Sequence, residues 1–135
     1  MTEPLKDKTV LVVADDPNMR DLLRRVLEEA GADVVTADSV ESAFETYRQS
    51  PPHAVVTDIR LSASDGYALI KAIRETDVEY RGSTVVLALT GSASPEEEKR
   101  ALAAGFNAYI VKPFDPAEVV ERLRELLSHP RESAA

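Results

Sequence analysis

The chain has 135 residues, enough for one domain with a single layered core, and the expectation is that no separate effector domain fits beside it. The net charge is −8, from 24 acids against 16 bases, and the bases are scattered, which argues against direct contact with nucleic acid or an anionic membrane. Zero cysteines exclude disulfides and thiolate metal sites, and a polar start with no apolar stretch near ~20 residues leads to the expectation of a soluble cytoplasmic protein.

Residues 1–8 read as a polar extension, and the repeating pattern begins after them. Thr9 to Val13 (TVLVV) is short, Val-rich and uncharged, as a strand buried on both faces should be. Asp16 followed by Pro17 sets a helix cap ahead of proline at the first helical position. Leu22, Leu23, Val26 and Leu27 then form one apolar face, and Gly31 stops the helix. Asp33 to Thr36 (DVVT) is a weaker strand, followed by a helix over Ser39 to Arg48. Ala54 to Thr57 (AVVT) is the third strand and Asp65 to Arg74 the third helix. Thr84 to Leu89 (TVVLAL) precedes a helix that starts at Ser94-Pro95, carries Glu96, Glu97 and Glu98 where the helix dipole favours anions, and ends at Gly105. Ala108 to Val111 (AYIV) and a helix starting at Asp115-Pro116 complete five β-α units, and 129–135 read as a polar tail.

Strands alternating with helices predict an α/β fold, a parallel sheet with helices on both faces, because right-handed crossovers lay each helix against the sheet. The leading topology is the doubly wound order 2-1-3-4-5, whose ligand crevice lies at the carboxyl ends of strands 1 and 3.

Isolated polar residues stand where the apolar runs end: Asp15 with Asp16, then Asp58, Thr90 and Lys112. Each has a plain structural role available: Asp16 as a helix cap, Asp58 as a turn former, Thr90 as a β-branched strand terminus before Gly91. Capping needs one acid and leaves Asp15 over, while Lys112, between a buried strand and Pro113, must hold its charge near the sheet edge. Taken together, two acids, an exposed carboxylate, a hydroxyl and an ammonium suit a divalent cation and a phosphoryl group. Mg²⁺ is usually held by one or two carboxylates, phosphate oxygens and water. A cation would keep Asp58 ionised among like charges, and attack by that carboxylate on phosphorus would give an acyl phosphate. Mg²⁺, Lys112 and Thr90 could then face the oxygens of the transferring group, with Gly91 leaving room for it.

The segments VLVVADDPNMR, VVTDI with DGYALI, ALTG and GFNAYIVKPF resemble the signature segments of the receiver domain of two-component response regulators, a CheY-like, flavodoxin-like (βα)5 fold. The resemblance spans roughly Lys8 to Leu127, within a domain set at 9–128. It implies Asp58 as phosphoacceptor, Asp15 and the backbone carbonyl of Arg60 as further ligands of Mg²⁺ or Mn²⁺, and Asp16 as a more distant acid around the metal. It also implies Thr90 as the switch hydroxyl, Lys112 as the phosphate-binding lysine, Pro113 as the family's cis-proline, and Tyr109 as the aromatic whose exposure follows Thr90. A half-buried strand aromatic is the plain alternative for Tyr109.

By the same resemblance the donor is a phosphohistidine on a sensor histidine kinase or a histidine phosphotransferase domain. A downstream protein target would read helix 4, strand 5 and helix 5, including Lys99, Tyr109, Arg122 and Arg124. The result would be a phosphorylation-dependent switch that catalyses only its own phosphotransfer and dephosphorylation, either alone or within a hybrid kinase. Arg60 and Ser92 would flank the water route to the acyl phosphate.

The pattern departs from the family at several places. Ala14 stands where the first of two adjacent acids is usual, which predicts weaker Mg²⁺ binding. Ser62 replaces a frequent proline, VEYRGSTV lengthens the connection before strand 4, and Ala108 replaces the Asp that precedes the Tyr in winged-helix dimers. Two other classes compete. A phosphorylation-independent pseudo-receiver used for docking would be consistent with Ala14. A phosphatase of the haloacid dehalogenase type would carry a second Asp where this chain has Arg60, and would contain a cap insertion. His53 and His129 are far apart in sequence and read as surface residues.

Overall fold

A computed structural model describes residues 3–60, 66–80, 84–91 and 94–128. Among the described residues strands and helices alternate: β1 (Thr9–Val13), α1 (Pro17–Glu29), β2 (Asp33–Ala37), α2 (Val40–Gln49), β3 (Ala54–Asp58), α3 (Gly66–Tyr80), β4 (Val85–Thr90), α4 (Pro95–Ala104), β5 (Ala108–Val111) and α5 (Pro116–Ser128). All strand pairs are parallel, in the order β2-β1-β3-β4-β5, as the doubly wound reading predicts.

Side chains alternate across each strand, so one sheet divides the core into two layers. Val10, Val12, Ala54, Val56, Leu87 and Leu89 face Leu23 and Leu27 of α1 and Val119 and Leu123 of α5. Leu11, Val13, Val55, Val86 and Ala88 face the other way, onto α2, α3 and α4. Covering both faces removes the inner strands from water, which is why β3 and β4 read as unbroken apolar runs.

The helix starts follow the capping chemistry. Asp16 accepts a hydrogen bond from Asn18 N, Ser39 from Ser42 N, Ser94 from Glu97 N and Asp115 from Ala117 N. Several boundaries differ from the sequence reading. Helix α3 continues six residues past Arg74 to Tyr80, because residues 75–80 contain no helix breaker. Strands β3 and β4 each extend to their terminal polar residue, Asp58 and Thr90. On α1, Leu22 leaves the expected apolar face: it is 38% exposed and lines an apolar groove with Met19, Pro113 and Phe114. The N-terminal segment is also less peripheral than its polarity suggests. Leu5 is fully buried in the α1/α5 layer, and its backbone N–H donates to Ala30 O at 2.9 Å. Among the described residues no helix is long and apolar enough to cross a membrane.

Candidate functional site

The sheet register brings the polar strand ends together. Asp58 pairs with Leu89 across β3 and β4, and Thr90 pairs with Val111 across β4 and β5. Two backbone bonds carry the ladder past the strand ends: Ile59 N donates to Leu89 O at 3.0 Å, and Lys112 N donates to Thr90 O at 2.7 Å. Lys112 then turns back through a cis bond to Pro113, and its ammonium reaches Asp58 Oδ1 at 2.5 Å. A cleft of about 480 Å³ opens here, lined by Ile59, Arg60, Leu89, Thr90, Gly91, Glu97 and Lys112.

Asp58 departs from expectation in one respect. Its carboxylate is not exposed; the residue keeps only 3% of its surface, because it ends a central strand and Lys112 covers it. Its Oδ1 is buried and accepts no well-aligned hydrogen bond, leaving the ammonium ion pair as the compensation shown. Burial therefore raises the Asp58 pKa above the ordinary carboxylate value of 3.8, with the charges of Asp15 and Asp16 adding to the rise and Lys112 opposing it. This arrangement concentrates negative charge at the end of β1 and β3 around one incompletely satisfied buried oxygen. It fits a hard divalent cation, which prefers such oxygens. Among the described residues no group of three or more His, Cys, Asp or Glu is arranged to hold a metal, so the carboxylates alone would not complete a coordination shell.

The other sequence candidates are distributed as follows. Asp15 and Asp16 are both exposed, immediately after β1, and Asp16 also caps α1. Ala14 is fully buried, with its carbonyl accepting from Arg20 Nη1 at 2.8 Å. Arg60 is exposed on the cleft wall and Thr90 is buried at the strand end. Gly91 borders open space: a Cβ built there would meet nothing within 4 Å. Tyr109 is half-buried on β5, packed against the α2/α3/α4 layer, and its pKa is raised by burial and by the charges of Glu98 and Glu97. His53 is exposed, and its Nδ1 accepts from Thr9 N at 3.0 Å. Ser62, Asp65, Ser92 and His129 lie outside the described residues.

Sequence reasoning missed two features. Gly66 opens α3 so close to the end of β3 that a Cβ would lie 2.7 Å from Asp58 O. The DG pair in the sequence was a legible sign of a turn, but the close approach was not. Glu97 stands in the cleft wall, where its Oε2 accepts from Tyr67 OH at 3.3 Å. The Ser94-x-x-Glu97 spacing places Glu97 in the first turn of α4, and only the packing of α3 against α4 shows what it faces.

The family model described as the response regulator receiver domain matches residues 10–124. A 14.6 kDa protein from the sodA1 3′ region of Leptolyngbya boryana is 37% identical over 124 residues, covering 91% of this chain and 92% of that one. Chemotaxis protein CheY of Halobacterium salinarum is 33% identical over 121 residues, covering 90% and 98%. Among solved structures, chemotaxis response regulator CheY4 of Vibrio cholerae superposes with a TM-score of 0.80 at 28% identity, covering 87% of this chain and 97% of that chain. The chain spans about half the length of the transcriptional regulatory proteins it also matches.

Proposed function

Because this chain belongs to the response regulator receiver domain family, we propose that it is a phosphorylation switch whose acceptor is Asp58. The supporting observation is the pairing of buried Asp58 with the half-buried Lys112 at 2.5 Å, with Thr90 and Lys112 both lining the cleft beside the acceptor. An Asp58 carboxylate oxygen attacks the phosphorus of a phosphohistidine on a kinase or phosphotransferase partner. A new O–P bond forms as the P–N bond breaks, and the electron pair of the broken bond stays on the imidazole nitrogen. The carboxylate brings one negative charge, and the acyl phosphate carries about two.

Lys112, already paired with the carboxylate, is positioned to follow the charge onto the new phosphoryl oxygens, and the Thr90 hydroxyl donates to another. Their shift biases an equilibrium between two conformations, and Tyr109 on the neighbouring strand carries it to the face formed by α4, β5 and α5. On that face Arg122 and Arg124 pair with Glu125 and Glu121 along α5, whereas Lys99 is an exposed cation on α4. A protein target would dock there. Asp15, Asp58 and the backbone carbonyl of Arg60 would hold Mg²⁺ or Mn²⁺, with Asp16 beyond them through water. Bound there, the cation would neutralise phosphoryl oxygens and offset the crowding of carboxylates.

Incubation with acetyl phosphate and Mg²⁺ should label the protein once per chain, and Asp58→Asn should abolish the label. Persistent labelling of that variant would move the acceptor elsewhere. The fully buried Ala14, which removes one acid from the site, favours a second reading in which the domain docks without phosphorylation. That reading requires the wild-type protein to remain unlabelled and to show no spectral change with beryllofluoride.

A further inference from the structure

Glu97 is an acid in the wall of a cleft that, on the reading above, must receive a more negative group. Its position is built by two contacts, one of them through a ring that is itself held in place. Ser94 caps α4 by accepting from Glu97 N at 3.1 Å, which fixes the first turn. Tyr67, at the start of α3, donates its hydroxyl to Glu97 Oε2 at 3.3 Å. The Tyr67 ring is itself held, edge to face with Phe106 at 5.9 Å between centroids and with the Arg100 guanidinium 4.3 Å from its centroid. The carboxylate is thus anchored at a cleft that Thr90 and Gly91 also line.

We propose that Glu97, positioned by Tyr67, is an electrostatic brake on phosphorylation of Asp58. Resting charge around the cleft is already negative: Asp58 feels the charges of Asp15 and Asp16, Glu97 adds a further acid to the lining, and Lys112 and Arg60 are the cations set against them. Phosphorylation adds about one further negative charge to that set. The Glu97 carboxylate opposes it, lowering the phosphorylated fraction reached at a given donor concentration. The capping role of Glu97 in a Ser-x-x-Glu start is separable from this one, because glutamine caps equally well and still accepts from the tyrosine hydroxyl.

The brake rests on Asp58 being the acceptor, and the experiment separates the two claims. Wild type, Glu97→Gln, Glu97→Asp, Tyr67→Phe and Asp58→Asn are labelled with sub-saturating acetyl phosphate and Mg²⁺ at low and high ionic strength. Glu97→Gln should raise the ratio of phosphorylated to unphosphorylated protein about three- to tenfold at low salt, with the gain shrinking as salt screens the charge. Glu97→Asp should stay near wild type, and Tyr67→Phe, which frees the carboxylate, should fall between wild type and Glu97→Gln. A Glu97→Gln protein that labels like wild type, or whose gain is indifferent to salt, overturns the brake while leaving the acceptor intact. Labelling of Asp58→Asn, or none in wild type, overturns the underlying reading and the brake with it.

Discussion

Asp58 shows how one residue can be costly to the fold and useful to the site. A carboxylate at the end of a central strand loses water on folding, and among the described residues the Lys112 ammonium is what compensates its buried oxygen. With its folded pKa raised above 3.8, the folded state binds this proton more tightly than the unfolded chain does. The favourable contribution is therefore complete below about pH 3.8 and is lost as pH rises through the folded pKa. At neutral pH the ionised carboxylate is a liability. Asp58→Asn should consequently be more stable than wild type in urea unfolding at pH 7 without divalent cation, and its advantage should disappear as pH falls towards 3.5. An advantage independent of pH would mean that the charge is not its source. The residue's identity and place at a strand end were legible in the sequence. Its burial was not, because burial depends on Lys112 folding back over it from β5.

At the scale of elements, local rules carried the reading far. Four helices start at residues whose side chains cap them, and three of those starts place proline in the first turn, where its missing N–H costs nothing. The weaker signals and the misses lie where packing overrides propensity, and the strand read over Asp33 to Thr36 is present as β2. Strand β2 is an edge strand with Val35 42% exposed, so its alternation is weak, and Leu22 trades the core for a surface groove. The junction between β3 and α3 is decided by closeness. At Gly66 a methyl group would sit 2.7 Å from Asp58 O and 3.1 Å from Ile59 Cα, backbone atoms that have little freedom to yield. Gly66→Ala should destabilise the domain by about 1–3 kcal/mol in urea unfolding. It should also slow acetyl phosphate labelling by displacing the acceptor strand's end, whereas a merely local strain would leave labelling unchanged.

Across the whole molecule, the sheet separates function from stabilisation. The cleft beside Asp58 lies at the carboxyl ends of the strands, and a polar network ties the opposite end together. Arg74 donates to Gly105 O, Asn107 Oδ1, Thr84 O and Asp77 Oδ2 at 2.6–2.9 Å, joining α3 to the starts of β4 and β5. Asp77 also accepts from Thr84 N and from the buried Tyr47 hydroxyl, whose pKa is pushed up to about 12 by burial and by that carboxylate. Removing the cation would leave Asp77 buried and short of a partner. Arg74→Met should therefore cost about 3–5 kcal/mol in urea unfolding, with little change in Asp58 labelling of the folded protein. Loss of labelling without loss of stability would contradict this division of roles.

The sequence by itself determined the alternation of elements, the parallel sheet and the polar residues at the strand ends. Those features follow from periodicity, capping and the need to bury both faces of a Val-rich sheet. Tertiary structure alone decided that Lys112 closes over Asp58, that Glu97 enters the same cleft and that Arg74 and Asp77 bind the far end. Each depends on side chains from distant segments meeting in buried or half-buried surroundings, where distance and desolvation set the energy and spacing along the chain carries no information about either.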